Sequence, residues 1–449
     1  MPYCVADLET GNVLSFPRAS YELLERCTGD EELKPCGLTE KQLRILQQLC
    51  EAGITEASEQ PQPRLCENAA YKKYDSRFIR QVHWLITGRC NYQCRHCYMA
   101  AAKCTDEDLP TETMKEIIRQ MEECGIMNVS LSGGEALTRK DFWEIADELA
   151  AHHITIRAIY SNGYLINEDF FENIRQRGLR PVISLSFDGI NGAHDWLRGI
   201  SNATAHFLKA TRLIRENGLD FEVEFCAHRG NIGEMRDTVK FLAGEGCGKV
   251  KVNLLLDEGE GKGIAAYCLG LKEAYDSFLR YIPQYYEDGA PLPINLRSLF
   301  MADEKGSYHV PGCRSAGAFD PSAYCICSHA RTVTVITADG RVMPCIALDC
   351  AGDAASYGSI TETPLKTLLE DSAYAKILNT RLDAYFKANP ECGECEYRYK
   401  CAGGCRAQAM IYNGKKDLLA KDEETCLLYQ GGYYDKLRKM MHELGIEEK

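Results

Sequence analysis

The feature that most constrains this chain is a run of three cysteines, Cys90, Cys94 and Cys97, separated by three and two residues. The run directly follows an apolar stretch, Val82–Thr87, that has the pattern of a strand. Three thiolates at this spacing suit one iron–sulfur cubane, because a tight loop can wrap around it. Three of the four irons then have protein ligands, and the fourth is open. The alternative is a closed zinc or four-cysteine site that also uses Cys104.

A second motif ends the next predicted strand. Asn128–Ser132 runs directly into Gly133, Gly134 and Glu135. Two glycines at a strand end predict a ligand that lies against bare backbone, because neither residue has a side chain. The glutamate carboxylate can accept hydrogen bonds from an amino group. This turn therefore favours the open cluster over a closed metal site.

The two motifs, in this order after the first and second strands, resemble the radical S-adenosylmethionine (SAM) superfamily. In that family the open iron chelates the amino and carboxylate groups of SAM, and one electron then splits the sulfonium to give a 5′-deoxyadenosyl radical. The resemblance implies that the three cysteines hold the cluster and that Glu135 lies against the methionine amino group. His96 departs from the family, which often has an aromatic ring at that position. The residues expected near SAM in this part of the chain are His96, Tyr98, Gly133, Gly134 and Glu135.

Composition excludes several classes of protein. The 449 residues carry a formal net charge of −13, which argues against nucleic acid as the main partner, since phosphate binding needs a basic face. No run approaches the roughly 18 apolar residues of a membrane span, and the N-terminus lacks the features of a signal peptide. The 23 cysteines of such a chain indicate metal rather than disulfides. We expect a cytoplasmic protein of two or three domains, with no nucleic-acid or membrane partner.

Residues 1–62 form a predicted small unit that ends in a polar, proline-bearing linker. Its pattern predicts a β-hairpin followed by two helices, at Tyr3–Leu8, Val13–Phe16, Tyr21–Cys27 and Thr39–Ala52. This order resembles the small winged-helix domain that recognises leader peptides in peptide-modifying enzymes. Such domains add a peptide as a strand to an exposed sheet edge. The alternative is a structural cap on the following domain.

Residues 78–300 alternate between predicted strands and helices. The strands are Val82–Thr87, Asn128–Ser132, Ile154–Tyr160, Val182–Phe187, Phe221–Cys226 and Val250–Leu256. The intervening helices include Thr113–Glu123, Asp141–Ala151, Glu168–Arg177, Ala203–Glu216 and Glu234–Ala243. Glycines that suit a left-handed helix end follow four of them, at Gly125, Gly178, Gly218 and Gly244. The pattern predicts an α/β partial (β/α)6 TIM-like barrel, whose site lies at the C-terminal strand ends.

Further polar residues fall at those strand ends. Ser161 and Asn162 follow the third strand, and Ser184 and Ser186 lie on the fourth. The run from Ser186 to Gly199 resembles the family segment that holds the ribose and the methionine carboxylate of SAM. It implies that Arg198 binds the carboxylate and that Ser184 or Ser186 binds the ribose. The ordinary alternatives are a turn-forming serine and a surface ion pair of Arg198.

Cysteines return in residues 310–449. Cys327 and Cys345 flank a predicted hairpin, Thr332–Thr337 with a turn at Asp339-Gly340. A second group follows, at Cys392, Cys395, Cys401, Cys405 and Cys426. A zinc ribbon that uses the first two members of this second group is the alternative.

The full series resembles the SPASM domain, which carries two auxiliary [4Fe–4S] clusters in peptide-modifying radical SAM enzymes. The resemblance implies that the first cluster takes Cys327, Cys345 and Cys405. The second takes Cys392, Cys395, Cys401 and Cys426. The fourth ligand of the first cluster is open between Cys325, Cys313 and Cys350, with Cys325 preferred. If none of these binds, that iron is open to a substrate thiolate.

Together these resemblances imply a radical SAM/SPASM enzyme with three [4Fe–4S] clusters and SAM, similar to maturases of ribosomally made peptides. Such an enzyme takes a hydrogen from a precursor peptide with a leader and forms a thioether or carbon–carbon crosslink. A flavodoxin- or ferredoxin-type partner supplies the electrons. The alternatives are a sulfatase-type formylglycine maturase, which needs no N-terminal unit, and a non-catalytic multi-cluster electron-transfer protein. The sequence assigns no general base, because no His, Asp or Glu of the barrel stands out.

Overall fold

The structure is a computed structural model of the chain. It describes residues 3–6, 13–24, 26–27, 33–57, 81–104, 107–311, 319–327, 329–348, 357–370, 373–412 and 417–448. The strands are β1 (Tyr3–Ala6), β2 (Val13–Phe16), β3 (Gln81–Leu85), β4 (Asn128–Ser132), β5 (Thr155–Ser161), β6 (Val182–Ser186), β7 (Phe221–Ala227), β8 (Val250–Leu254), β9 (Ile294–Leu296), β10 (Phe300–Ala302), β11 (Tyr308–His309), β12 (Val333–Ile336) and β13 (Val342–Met343).

The helices of the first two regions are α1 (Arg18–Leu24), α2 (Glu40–Glu51), α3 (Thr111–Glu123), α4 (Phe142–Ala151), α5 (Glu168–Gln176), α6 (Ala193–Arg198), α7 (Ala203–Glu216), α8 (Met235–Gly244) and α9 (Leu271–Glu287). Those of the last region are α10 (Leu365–Glu370), α11 (Ala373–Asn379), α12 (Leu382–Ala388), α13 (Pro390–Gly393), α14 (Arg398–Cys401), α15 (Arg406–Tyr412), α16 (Glu423–Tyr429) and α17 (Tyr433–Glu443). Within the described ranges, no helix combines the length and the apolar character needed to cross a membrane.

The large sheet is open and mostly parallel. In the described part of the chain it has eleven strands, in the order β11-β10-β9-β8-β7-β6-β5-β4-β3-β12-β13. Every neighbouring pair from β12 through β3 to β9 is parallel. The remaining strands, β10, β11 and β13, pair antiparallel at the two edges. The prediction of an α/β fold with a parallel sheet is confirmed, since the six predicted strands are β3 to β8; the sheet does not close.

Alternate residues of the parallel strands face the helices and form the main core. On β7 these are Phe221, Val223 and Phe225, each 1% exposed. Phe207 of α7 and Val239 of α8 belong to the same cluster of buried side chains. Burying a side chain of this size contributes about 1.5–3 kcal/mol, so this outer face holds the helices on the sheet.

The opposite face of the same strands is polar. Between the core residues of β7 lie Glu222, Glu224 and Cys226, and β8 contributes Lys251 and Asn253 on the same side. Parallel strands that are buried on both faces are apolar almost throughout, and a closed barrel fills its interior with branched apolar side chains. The inner face of this open sheet is therefore suited to a polar ligand rather than to a packed core.

The predicted end of α8 is wrong. Gly244 was expected just beyond a helix, but it is the last residue of α8. The left-handed position is taken by Gly246, with φ +79°. The helix continues for one more residue, because the N–H groups of Glu245 and Gly246 still donate to Phe241 O and Ala243 O.

The N-terminal unit contains a hairpin and two helices, but the first helix, α1, begins and ends three residues before the predicted Tyr21–Cys27. β1 and β2 pair antiparallel in a separate two-stranded sheet, with Tyr3 opposite Phe16. The helix α2 begins at Thr39, which shares a capping box with Gln42. The predicted hairpin turn, residues 9–12, and most of the linker after residue 57 lie outside the described residues. The winged-helix assignment and the domain boundaries stay predictions.

The cysteine-rich region shares the large sheet, which sequence reasoning did not anticipate. β12 and β13 form the predicted hairpin, with Ile336 opposite Val342. β12 also pairs in parallel with β3, with Val335 opposite His83. An open sheet leaves unpaired backbone groups at its edge, and β12 satisfies those of β3.

A buried ion pair also connects the last region to the sheet. The Glu424 carboxylate, on α16, is 1% exposed and accepts hydrogen bonds from Arg297 Nε at 2.7 Å and Nη2 at 2.8 Å. Tyr275 and Ser298 donate to the same carboxylate. Arg297 lies directly after β9, so this pair joins α16 to the edge of the parallel sheet.

Glu424→Ala should lower the free energy of unfolding by about 3–5 kcal/mol, because it leaves the Arg297 guanidinium without its buried partner. The measurement is anaerobic urea unfolding followed by circular dichroism. Glu423→Ala, at the exposed neighbouring position, is the matched control and should change stability little. Equal stability of the two variants would show that the buried pair contributes nothing to the fold.

Candidate active site

The cysteine loop begins where β3 ends, and the Gly-Gly turn holds it there. Gly134 N–H donates to Thr87 O at 2.9 Å, and Glu135 N–H donates to Arg89 O at 2.8 Å. A Cβ on Gly133 would lie 2.3 Å from Thr87 O, and one on Gly134 would lie 2.2 Å from Arg89 O. The sequence predicted that these glycines leave room for a ligand. In the structure the space beside them is filled by the chain leading into the cysteine loop.

Further contacts hold the loop along its length. Arg95 N–H donates to Leu197 O at 2.9 Å, and its side chain donates to Trp196 O, both on α6. At the far end Glu260 N–H donates to Cys97 O at 2.9 Å. A Cβ on Gly259 would lie 2.5 Å from the same carbonyl. The glycine-rich segment 257–263 therefore packs directly on the cysteine loop.

The sulfur atoms of the loop face hydrogen-bond donors. Tyr92 N–H lies 3.4 Å from Cys90 Sγ, and Ala101 N–H lies 3.4 Å from Cys97 Sγ. Arg198 Nη1 lies 4.0 Å from Cys94 Sγ. Donors of this kind stabilise cluster sulfurs. Burial raises the pKa of the Cys90 thiol to about 12, so such a thiol ionises when a metal displaces its proton. The three residues thus fit an iron–sulfur cluster.

The closed alternative finds no support in the described residues. Cys104 Sγ packs on Gly88, where it lies 2.8 Å from the position of an added Cβ. Within the described ranges no three His, Cys, Asp or Glu side chains are close enough to hold one metal ion. A zinc ion draws its ligands around a single centre, whereas a cubane spreads its cysteines over separate irons.

Glu135 is buried at the junction of three strand ends. Its carboxylate accepts hydrogen bonds from Asn162 N at 2.7 Å, Ser161 Oγ at 3.2 Å and Leu137 N at 3.2 Å. Burial raises its pKa to about 7 despite these donors. A carboxylate held this way would gain from a positively charged neighbour. The predicted contact with the SAM amino group is compatible with this position but stays a prediction.

Arg198 forms a buried ion pair rather than a surface one. Its Nε and Nη2 atoms donate to the two oxygens of Asp188, at 2.6 and 3.0 Å. Burial would raise the pKa of Asp188, but the guanidinium holds that pKa well below its ordinary value. His194 and the backbone N–H of Cys226 also bond to this carboxylate. Because two guanidinium nitrogens are occupied, Nη1 is the group that faces the cysteine loop.

The other predicted SAM contacts lie on the same side of the sheet. Asn162 Nδ2 donates to Asn91 Oδ1 at 2.8 Å within the cysteine loop. Ser184 is buried on the inner face of β6, and Ser186 is half-buried two residues further on. Tyr98, directly after the loop, is 36% exposed. The structure brings these residues to one end of the sheet, and their roles stay predictions.

Three imidazoles near Asp188 have nitrogens that lack a partner in the described part of the chain. They are His96 Nδ1, His194 Nε2 and His228 Nε2. Burial lowers the pKa of His96 to about 3, so this ring is neutral. A buried polar atom without a hydrogen bond costs about 1–3 kcal/mol, and a polar ligand could offset that cost here.

Some of the auxiliary cysteines influence the pKa of others in their own predicted group. Burial, and to a smaller extent the charges of Cys345 and Cys327, raise the pKa of Cys405 to about 12. Burial raises the pKa of Cys426, and the charges of Cys392 and Cys395 add to it. Burial, with a contribution from Cys392, likewise raises the pKa of the Cys401 thiol to about 12. These mutual effects on pKa occur between cysteines of the same predicted cluster. They are consistent with the ligand assignment, which stays a prediction.

Cys325 makes a contact that sequence reasoning could not foresee. Its Sγ is buried and donates to Leu378 O at 3.1 Å, at the end of α11. Ligation of iron would require this thiol to lose its proton and that hydrogen bond. The other two candidates for the fourth ligand, Cys313 and Cys350, lie outside the described residues.

A group of residues on the inner face was missed from the sequence. Glu224 accepts hydrogen bonds from Lys251 Nζ at 3.1 Å and from Asn253 Nδ2 at 2.5 Å. Tyr160 faces the same space, and burial, with the charges of Glu224 and Glu222, raises its pKa to about 12. The available signal was the strict alternation of apolar and polar residues in β7 and β8, which is unusual for a parallel sheet.

An open parallel sheet with a three-cysteine loop beyond one strand and a Gly-Gly-Glu turn beyond the next defines a class of iron–sulfur proteins with an α/β barrel-like core. Residues 84–242 match the family model of the radical SAM superfamily. Residues 325–396 match that of the SPASM iron–sulfur cluster-binding domain. The chain therefore is a radical SAM/SPASM-domain protein.

Relatives with different named activities share this architecture. AdoMet-dependent heme synthase of Nitratidesulfovibrio vulgaris is 25% identical over 361 residues, covering 76% of this chain and 90% of that protein. PqqA peptide cyclase of Gluconobacter oxydans is 25% identical over 357 residues, covering 79% and 91%. Sequence identity alone does not choose between them.

The fold is shared with a solved structure along nearly the whole chain. Streptococcus suis SuiB bound to S-adenosylmethionine superposes with a TM-score of 0.64 at 17% identity, covering 94% of this chain and 96% of that one. SuiB bound to its precursor peptide SuiA gives a TM-score of 0.63 at 15% identity, with the same coverage. At this identity the likeness shows the fold.

Glu135→Gln should weaken SAM binding about tenfold or more, because a hydrogen bond to a charged group contributes about 1.5–3 kcal/mol. The amide keeps the size of the side chain and an oxygen that accepts from Asn162. SAM dissociation constants should be measured by anaerobic equilibrium dialysis, with iron content determined in parallel. Glu144→Gln, on the exposed face of α4, is the control. An unchanged dissociation constant for Glu135→Gln would show that the charge of Glu135 does not contribute to SAM binding and that the residue has only a structural role.

Proposed function

We propose that this protein is a radical SAM enzyme that modifies a ribosomally made precursor peptide, forming a thioether or carbon–carbon crosslink. When bound, the cluster at Cys90, Cys94 and Cys97 supplies the electron that cleaves SAM to a radical. The chain's own residues hold that cluster, orient SAM and exclude water from the radical. The relatives that act on peptides by name, PqqA peptide cyclase and SuiB with its precursor peptide, support the substrate class.

The polar inner face of the sheet is the observation that carries this choice over a heme-type substrate. A heme offers a flat apolar ring and carboxylate side chains, which call for apolar walls and unpaired cations. The inner face of β7 and β8 instead carries two carboxylates, Glu222 and Glu224, and one lysine that is already paired. Such a wall suits the hydrogen-bonding groups of a peptide.

The test presents both substrate classes to one preparation. Reduced, reconstituted protein with SAM should be incubated with synthetic peptides for the short reading frames next to its gene, and separately with an iron porphyrin bearing propionates. We expect the peptide to lose about two mass units as a crosslink closes, measured by mass spectrometry. Conversion of the porphyrin with no change in the peptide would overturn the proposal.

The auxiliary clusters are proposed to accept the second electron of the reaction. Cys392→Ala with Cys395→Ala should reduce the iron content from about 12 to about 8 per chain. Formation of 5′-deoxyadenosine should continue in this variant, whereas crosslinked peptide should vanish because the route of the electron through both auxiliary clusters is interrupted. The measurements are iron analysis and chromatography of both products. Cys247→Ala, a buried cysteine outside the ligand sets, is the control.

Loss of a cluster can also unfold the region around it, since metal binding contributes folding free energy. Circular dichroism of the double variant must therefore match that of the control before activity is compared. If a folded variant with about eight irons still makes full product, the auxiliary clusters have a structural role and do not accept the electron.

Residues 1–62 are proposed to bind the leader of the peptide at the hairpin edge. Deletion of residues 1–55 should weaken binding of the full precursor peptide about tenfold or more, because backbone pairing along the edge is lost. SAM cleavage without peptide should be unaffected. The measurement is fluorescence anisotropy with the labelled leader. Unchanged affinity would support a capping role instead, and with it a maturase that needs no leader.

A further inference from the structure

The end of the sheet that carries the cysteine loop is called the cofactor end below. Most acidic and imidazole side chains there already form hydrogen bonds or ion pairs with other residues. Glu135 accepts three hydrogen bonds from its own surroundings. Asp188 is fully buried against Arg198. His83 is bonded to Ser132 at 2.7 Å, and burial, with the charges of Lys251 and His329, lowers its pKa to about 4. None of these groups is both open to the inner face and free to take up a proton.

Glu224 differs from them in its access. Its side chain is 26% exposed, on the inner face of β7. The register places it opposite Ser186 of β6 and Lys251 of β8. Access to the inner face and a position between two strands are what a group that reacts with a bound peptide requires.

The carboxylate of Glu224 is also oriented. Lys251 Nζ donates to Oε1 and Asn253 Nδ2 donates to Oε2, so each oxygen is held from one side. A carboxylate oxygen accepts more than one hydrogen bond, so both oxygens keep room for a proton. The charged groups that face Glu224 come from β8 and from its own strand, as Lys251 and Glu222, and the Tyr160 ring faces it from β5.

The distance of Glu224 from the cofactor end follows from the rise per residue along β7. Cys226, two residues further along β7, donates its backbone N–H to Asp188, the partner of Arg198. Two residues of a strand span about 6.6 Å. Glu224 therefore lies one inward-facing position below Cys226, on the face of the sheet that the proposed function gives to the peptide.

We propose that Glu224 is the proton acceptor of the crosslinking reaction, with Lys251 and Asn253 as its positioning residues. This inference rests on the proposed function. It assigns the base that the sequence left unidentified.

The reaction balances as follows for a bond between two atoms of the peptide. A carbon loses one hydrogen as a hydrogen atom to the SAM-derived radical. The partner atom, a sulfur or a carbon, loses its hydrogen as a proton to the Glu224 carboxylate. The electron left behind passes to a one-electron acceptor of the iron–sulfur class, and the new bond joins the two atoms.

The test compares Glu224→Gln with the wild type on the peptide that the wild type crosslinks in the test above, produced uniformly deuterated. Glu224→Gln keeps the size and an acceptor oxygen but removes the proton-accepting charge. Crosslinked product should fall about a hundredfold or more, the usual range for loss of a general base. Iron content, SAM cleavage and the transfer of deuterium into 5′-deoxyadenosine should remain. Glu224→Asp, which retains a carboxylate, should recover part of the product.

Glu144→Gln is the matched control, because it removes one carboxylate charge from the exposed face of α4, away from the inner face of the sheet. It should form product at nearly the wild-type rate. Full product from Glu224→Gln would overturn the proposal. Loss of deuterium transfer together with product would also overturn it, since Glu224 would then hold the peptide rather than take its proton.

Failure of the proposed function gives a different result. In that case the wild type would transfer no deuterium from the peptide and would form no crosslink. A wild type that crosslinks the peptide, with a Glu224→Gln variant that does so equally well, rejects the base and leaves the function in place.

Discussion

The close contact between the Gly-Gly turn and the chain beyond β3 is the constraint on which the rest of the site depends. Gly133 and Gly134 let the carbonyls of Thr87 and Arg89 approach to distances that no side chain would allow. The same turn carries Glu135, whose carboxylate bonds to the end of β5. Three neighbouring strand ends are thereby locked together. A cysteine loop that leaves β3 at this point has a defined path across the end of the sheet.

The buried ion pair of Asp188 and Arg198 likewise connects the ends of β6 and β7 to the cysteine loop. Asp188 follows β6, bonds to the backbone of Cys226 on β7 and orients Arg198 toward Cys94. Taking two charges out of water is costly, and such a pair is weak evidence for stability by itself. Here the carboxylate also accepts bonds from a backbone N–H and an imidazole, which offset part of that cost. The pair joins strand ends, α6 and the cysteine loop in one network.

The shared sheet explains how the cysteine-rich region can act together with the barrel. β12 extends the edge beside β3, so the hairpin and its flanking cysteines follow directly on the strand that leads into the cysteine loop. Lys251 on the opposite side of the inner face influences the pKa of both His329 and Cys345, which burial also shifts. Lys251 therefore lies within electrostatic range of His329 and of Cys345, which directly flanks the hairpin.

Spacing along the chain was enough to predict the cysteine loop, the Gly-Gly-Glu turn and six parallel strands, because each depends on residues that are close in sequence. Periodicity also located the helices, with errors at the end of α8 and in α1, which lies three residues before its predicted range. The predicted roles of the glycines were incomplete, since the carbonyls that fill the space beside them come from a segment more than 40 residues earlier in the chain.

Only the tertiary structure decided which distant residues meet. The pairing of β12 with β3, the bond from Cys325 to Leu378 and the contact of Glu224 with Lys251 all depend on sheet order and register. Local pattern carries no information about register between strands that are far apart in the chain, although a shift of one residue would turn every inward side chain outward. The sequence by itself thus determined the kind of chemistry that this protein can support. The fold determined which carboxylates face the inner side of the sheet, because burial and neighbours distinguish Glu224 from Glu135 and Asp188 and composition does not.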